Sequence, residues 1–164
     1  MTNKNLREAI DNLEIRDVYV KSLIANSADD FEPKYFENFD SLTQQNKHLV
    51  SKSSIMVIDG SETEPDKVFR VHVEYGMRWT EATEQEGGGE QKAIIEAEFV
   101  VEYLMKKELH SDCLNAFALK NASFHVWPYW RELVSSQCER MQMPRIIMPT
   151  LQLASNRNDQ HKEK

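Results

Sequence analysis

The sequence predicts an α+β domain: a four-stranded antiparallel sheet followed by helices near the C-terminus. Three observations carry this. Segments rich in β-branched residues, separated by turn formers, recur from Ile15 to Met105. One of them, Val68–Trp79, alternates apolar and polar residues, as a strand does when one face lies on a core and the other in water. From Phe124 onward the apolar residues recur instead at steps of three and four, the stripe of an amphipathic helix.

In chain order, residues 1–14 form a polar extension in which Leu6, Ile10 and Leu13 stand at helical spacing, so both a short docking helix and a frayed terminus are open. Ile15–Ile24 is the first strand. Residues 26–47 hold turn formers and charges together with Phe31, Tyr35, Phe36, Phe39 and Leu42. A connection of that length is uncommon unless it has a function, and its aromatics need a cover, either the domain's own sheet or a ligand. Leu49–Ile58 is the second strand, Val68–Trp79 the third and Lys92–Met105 the fourth, with Asp59-Gly60 and the Gly87–Gly89 run marking the turns between them. Ser111-Asp112 caps a short helix ending near Leu119, and Asn121 or Ser123 caps a long one over 124–141. In the long helix Trp127, Trp130, Val134, Cys138 and Met141 form one stripe, while Val126, Tyr129 and Leu133 lie on another side. A helix apolar on two sides packs on its own sheet with one and on another subunit with the other. Pro128 predicts a kink or a helix start just before it, and Pro144 ends the helix. Residues 154–164 read as a charged, disordered tail.

Composition narrows the function classes. Lys and Arg total 20 against 27 Asp and Glu, a formal charge of -7, which argues against a nucleic-acid or anionic-membrane binder. No apolar run reaches the ~20 residues of a membrane helix, and the N-terminus lacks the apolar core of a signal peptide. Cys113 and Cys138 have no CxxC spacing and read as reduced thiols of a cytoplasmic protein. Enzyme signals are weak. Gly87–Gly89 is followed by no Lys-Ser or Lys-Thr, and His48, His72, His110, His125 and His161 form no ligand pattern, so neither a metal nor a cofactor is expected. Cys138 lies on the apolar stripe, where nothing nearby lowers its pKa. Glu96, Glu98 and Glu102 alternate on one strand face, either as a solvated surface or as an acidic docking surface.

The order of elements and the segment Trp127-Pro128-Tyr129-Trp130-Arg131-Glu132 resemble the SecB family of export chaperones. Pro128, Tyr129, Arg131 and Glu132 fall on that family's Pro-Tyr-x-Arg-Glu positions. The run Pro144–Pro149 loosely matches its helix exit, and Ile15, Tyr19 and Lys21 match its first strand. The resemblance covers residues 15–153. It implies dimers pairing into a tetramer and ATP-independent holding of unfolded or nascent polypeptides. It implies client contacts from Phe31, Tyr35, Phe36, Phe39 and Leu42 in the crossover and from Trp127, Met141, Met143, Ile146 and Ile147 around the helix exit. It also implies oligomer contacts through Phe124, Trp127, Trp130, Val134, Cys138 and Met141. Flexible aromatics and methionines suit a surface that must accept many apolar sequences.

This sequence departs from the family twice. Ser22 and Asn26 stand where export members carry the acidic residues that meet the SecA motor, while Ile94 and Glu96 match the remaining docking positions. Only a short segment follows Pro149 where the family has a lid helix. These departures imply weak SecA binding and are compatible with the SecB-like branch dedicated to antitoxins. A rival outside the resemblance is a small oligomeric α+β enzyme or ligand-binding protein with a pocket lined by Trp127, Tyr129 and Trp130.

Overall fold

A computed structural model describes residues 4–59, 65–83 and 89–150. The elements are α1 (Lys4–Asn12), β1 (Leu13–Ser27), β2 (Leu42–Ile58), β3 (Asp66–Glu81), β4 (Gln91–Met105), α2 (Ser111–Phe117) and α3 (Ser123–Arg140). The expected tail at 154–164 lies outside the described residues.

The sheet is antiparallel throughout, in the order β1-β4-β3-β2. It is therefore a three-stranded meander, β2 to β4, to which β1 returns on the far side. Residues 28–41 cross from one sheet edge to the other, and two short 3-10 turns, Pro33–Tyr35 and Phe39–Ser41, fold this crossover. Lys92 anchors its start: the Ala28 N–H donates to the Lys92 carbonyl at 2.8 Å, and the buried Lys92 ammonium meets Asp30, Glu81 and Glu90 at 2.9, 3.1 and 3.1 Å. Hydrogen bonds to these three carboxylates push the Lys92 pKa well up. At the same end the Glu81 N–H donates to the Glu90 carbonyl, and a Cβ on Gly89 would collide with the Glu81 backbone, so that tight approach requires glycine.

β2 begins seven residues earlier than hydrophobic periodicity places it. Its first half, Leu42-Thr-Gln-Gln-Asn-Lys-His, is polar because an edge strand leaves most of its side chains in water. Of the two readings open for the polar N-terminal stretch, the structure has the docking helix: α1 packs on α2, Ala9 is fully buried, and Glu8 receives the Lys107 ammonium at 2.8 Å.

The core lies between one sheet face and α3. From β3 and β4 it takes Phe69, Val71, Val73, Tyr75, Met77, Ile95, Phe99, Val101 and Tyr103, and from α3 the row Val126, Trp130, Val134 and Cys138. Val126 thus sits on the buried row, one turn before Trp130, while Trp127 is half-buried beside it. Burying each large member of the row contributes roughly 1.5–3 kcal/mol. Trp130 stacks on Tyr75 at 5.7 Å and 13°.

The two expected helices are nearly one. α2 passes into α3 through a π-helical segment, Ala118–Ala122, so neither Asn121 nor Ser123 caps a free N-terminus. The cap of α2 is His110, whose Nδ1 accepts the Asp112 N–H. Pro128 lies inside α3. It removes the donor for the Phe124 carbonyl, which is tolerable because Pro128 and Phe124 are both exposed and water can replace the bond. The helix ends in a Schellman turn two residues before Pro144. The Met143 N–H donates to Cys138 O, the Gln142 N–H to Glu139 O, and Gln142 takes φ 57°.

Candidate polypeptide-binding and docking surfaces

Side chains directly opposite in the sheet point to the same side, so the register sorts both faces. The helix-side face is apolar at its centre and remains apolar at its uncovered margins. On β1, Ile15, Val20 and Leu23 oppose Tyr103, Phe99 and Ala97, and on β2, Ile55 opposes Phe69; all four margin residues are exposed. α3 covers the middle and leaves Tyr129 exposed and Leu133 half-buried beside its buried row.

The crossover folds around three phenylalanines. Phe31, Phe36 and Phe39 pack edge to face, with ring centroids 5.0, 6.0 and 5.2 Å apart. Phe31 is buried in the core, while Phe36 and Phe39 are half-buried against it. Tyr35 alone of these aromatics turns out, 74% exposed, with the Lys34 ammonium 5.5 Å from its ring centroid. Leu42, where β2 starts, is half-buried.

Beyond α3 the chain folds back along the helix. The Trp127 indole Nε1–H donates to the Pro149 carbonyl at 2.9 Å, and the Arg131 Nε–H to the Met148 carbonyl at 3.0 Å. A cleft of about 560 Å³ lies between this segment and the helix, lined by Pro128, Arg131, Ser135, Arg145 and Ile147 among others. Ile147 is 84% exposed, Met141 and Ile146 are half-buried, and Met143 is buried.

Several expected sites are corrected by this geometry. Phe31 and Met143 are core residues and offer a client nothing unless the core opens. Trp130, Val134 and Cys138 are covered by the chain's own sheet, so they are unavailable as oligomer contacts; Phe124, Trp127 and Met141 remain accessible to different degrees. The pocket expected between Trp127, Tyr129 and Trp130 does not form, because Trp130 is stacked on Tyr75 and Tyr129 points away to solvent. The exposed margins Ile15, Leu23 and Ile55 were missed, since nothing in a β-branched run reveals that its strand lies at an edge.

The other sheet face carries charge. Ser22, Asn26, Ile94 and Glu96 share it: Ser22 opposes Glu98, Asn26 opposes Ile94, and Ile24 opposes Glu96. The carboxylates there have cations of their own. Glu74 and Glu96 take Lys47 at 2.9 and 3.8 Å, Glu98 takes Lys21 at 3.4 Å beside a 2.6 Å hydrogen bond to His72 Nδ1, and Glu102 takes Arg70 at 3.3 Å and Arg16 at 3.6 Å. The His72 hydrogen bond, then Lys21, holds the Glu98 carboxyl below its ordinary range, and the Glu74 hydrogen bond raises Lys47. Beneath Lys47 and Glu96 the sheet has a gap at Gly76, where an added Cβ would lie 2.9 Å from Glu96 Cγ.

Among the described residues, neither the His48–Ser123 pair nor Cys138 is set up as an activated nucleophile. His48 Nε2 touches Ser123 Oγ at 2.7 Å, but Ser123 lies within a helix, buried, with its carbonyl accepting the Tyr75 hydroxyl. Cys138 is held up at about 11 by burial, which suppresses its thiolate. Among the described residues no group of three or more His, Cys, Asp or Glu converges as metal ligands, and no helix is long and apolar enough to cross a membrane.

No family model matches the chain, and no curated protein matches it. Among solved structures it is similar to the SecB-like chaperone Rv1957 of Mycobacterium tuberculosis, determined in complex with a ChAD peptide from the HigA1 antitoxin. The TM-score is 0.67 and the identity 18%, over 92% of this chain and 99% of that one. The four-stranded sheet with its C-terminal helix is thus a SecB-like fold.

Proposed function

We propose that the chain is an ATP-independent holdase that binds unfolded polypeptide along the apolar margins of its helix-side face. The observation that carries this is the exposure of Ile15, Leu23, Ile55, Tyr129, Tyr35 and Ile147 around one covered core, in separate patches rather than one enclosed pocket. Each patch is weak alone, but an extended apolar chain touching several gains by multivalency. The SecB-like fold supports the reading, as does the chaperone activity named for its structural neighbour. Such margins also favour self-association. A second copy gains by contact through Phe124, Trp127 and Met141, which leaves the β1 and Tyr129 margins to the client, and two such dimers pair. Two free, buried cysteines suit a reducing, cytoplasmic setting. The test is light scattering of an unrelated unfolded protein, with and without this chain and without nucleotide. Suppressed aggregation is expected; unchanged aggregation, with a monomeric mass at micromolar concentration, refutes the reading.

A narrower reading has its own support: the client is one antitoxin-like partner. The neighbour was solved with an antitoxin peptide, and the charged face here is largely neutralised from within, leaving little free negative potential for the cationic tail of a SecA-type motor. Tight binding of one antitoxin segment with little effect on unrelated clients distinguishes it.

A further inference from the structure

We infer that the hydrogen bond between Tyr103 and His125 is an acid-sensitive latch that holds the first turns of α3 on β4. Tyr103 is fully buried, ringed by Phe69 and Phe117, and its hydroxyl meets His125 Nδ1 at 2.7 Å. A buried hydroxyl must place its proton on an acceptor. The neutral imidazole supplies one at Nδ1, which puts the histidine's own proton on Nε2. Protonation turns Nδ1 into a donor, so the phenol proton loses its acceptor in apolar surroundings.

Among the described residues no charge offsets the burial of the imidazole. From α2 the histidine meets the Phe117 ring at 6.2 Å, and its own helix places Asn121 and Tyr129 one turn away. Among the described residues, charged groups of neighbouring elements are engaged elsewhere: Glu14 with Lys106, Arg16 with Glu102, Asp17 with the Val18 N–H and Glu8 with Lys107. Burial accordingly lowers the His125 pKa from its ordinary 6.5.

The opposite flank of the same turn carries a second histidine. His48 stacks on Tyr75 at 4.8 Å and touches Ser123 Oγ, and burial lowers its pKa too. That flank has a second tie which does not titrate near neutrality, the Tyr75 hydroxyl donating to the Ser123 carbonyl, so acid frees the β4 side of α3 first. The π-helical segment Ala118–Ala122, just before it, is the place where the helix path can adjust. The inference is independent of what the chain binds.

The sign follows from linkage. A histidine whose folded pKa is lowered costs nothing above 6.5. Stability is lost as pH falls from 6.5 toward the folded value, because the unfolded or undocked state takes the proton first. The experiment is hydrogen exchange of the full chain from pH 7.5 to 5.5, corrected for intrinsic rates. Protection of residues 119–130 should fall by up to about tenfold per pH unit below 6.5, with β3 remaining the better protected throughout. His125→Asn, which keeps an acceptor but does not titrate, should remove most of that fall; His48→Gln should leave most of it in place. A fall that persists undiminished in His125→Asn, or none in the native chain, overturns the latch. Should the variant fail to fold, an NMR titration of the native chain decides. His125 must titrate below 6.5 in step with the amides of Ser123–Trp127, and titration without that coupling overturns it equally.

Discussion

The two faces of one sheet meet their surroundings in opposite ways. The helix-side face buries a contiguous core under the Val126–Cys138 row and still shows apolar side chains at both edges. The other face lies open, yet it is almost closed electrostatically, since Glu74, Glu96, Glu98 and Glu102 each have a cation within 4 Å. Exposure and availability are therefore different properties. A half-covered apolar margin gains by meeting a partner, whereas a paired carboxylate must first give up the cation it has.

This contrast can be broken in steps of decreasing size. Trp130→Ala or Phe31→Ala should cost about 3–5 kcal/mol in urea unfolding, because each opens the packed core, whereas Tyr129→Ala and Tyr35→Ser should change stability by less than about 0.5 kcal/mol. If Tyr35→Ser is as costly as Phe31→Ala, the division between core and client surface is wrong. Gly76→Val should cost about 1–3 kcal/mol, because its side chain must displace Glu96 and Lys47 over the charged face. Insensitivity there would mean that the Lys47 bridge is not formed in solution.

Acid separates the faces too. Glu98, lowered first by His72 and then by Lys21, contributes stability above the ordinary carboxylate value of 4.5, and that contribution disappears as pH falls through its folded pKa. Melting temperatures between pH 6 and pH 3 should show a smaller acid loss in His72→Asn than in the native chain. The smallest effect belongs to docking. Ser22→Asp with Asn26→Glu adds two exposed acids, each worth about 0–1 kcal/mol to a cationic peptide. Calorimetry with the SecA tail peptide at low salt should show weak native binding, strengthened in the variant. Tight native binding unchanged by the two substitutions would place docking elsewhere.

The sequence revealed the centre of the sheet better than its edges. β3 and β4 are strongly patterned, and their expected spans, 68–79 and 92–105, fall within two residues of the observed ends. The polar start of β2 escaped because an edge strand needs no alternation, and no local signal places β1 beside β4. The helices were expected as two because Asn121 and Ser123 are good caps. Continuous packing of Ala118, Ala122 and Val126 on the sheet overrode that local preference. At the candidate site, aromatic content singled out the crossover but not which of its rings points in. Phe31 and Tyr35 are equally plausible clients' contacts by composition, and tertiary packing alone separates them.

If the proposed function holds, clients meet the helix-side margins and not the charged face. Hydrogen-exchange footprinting with a saturating unfolded client, in the absence of nucleotide, decides between the two surfaces. Protection is expected around Tyr35, in β1 from Ile15 to Leu23, and in α3 around Tyr129, with the side chains of the charged face, probed in parallel by carboxylate labelling at Glu74 and Glu96, left unchanged. Loss of labelling at those two carboxylates, with no new protection at the crossover or α3, would contradict the claim.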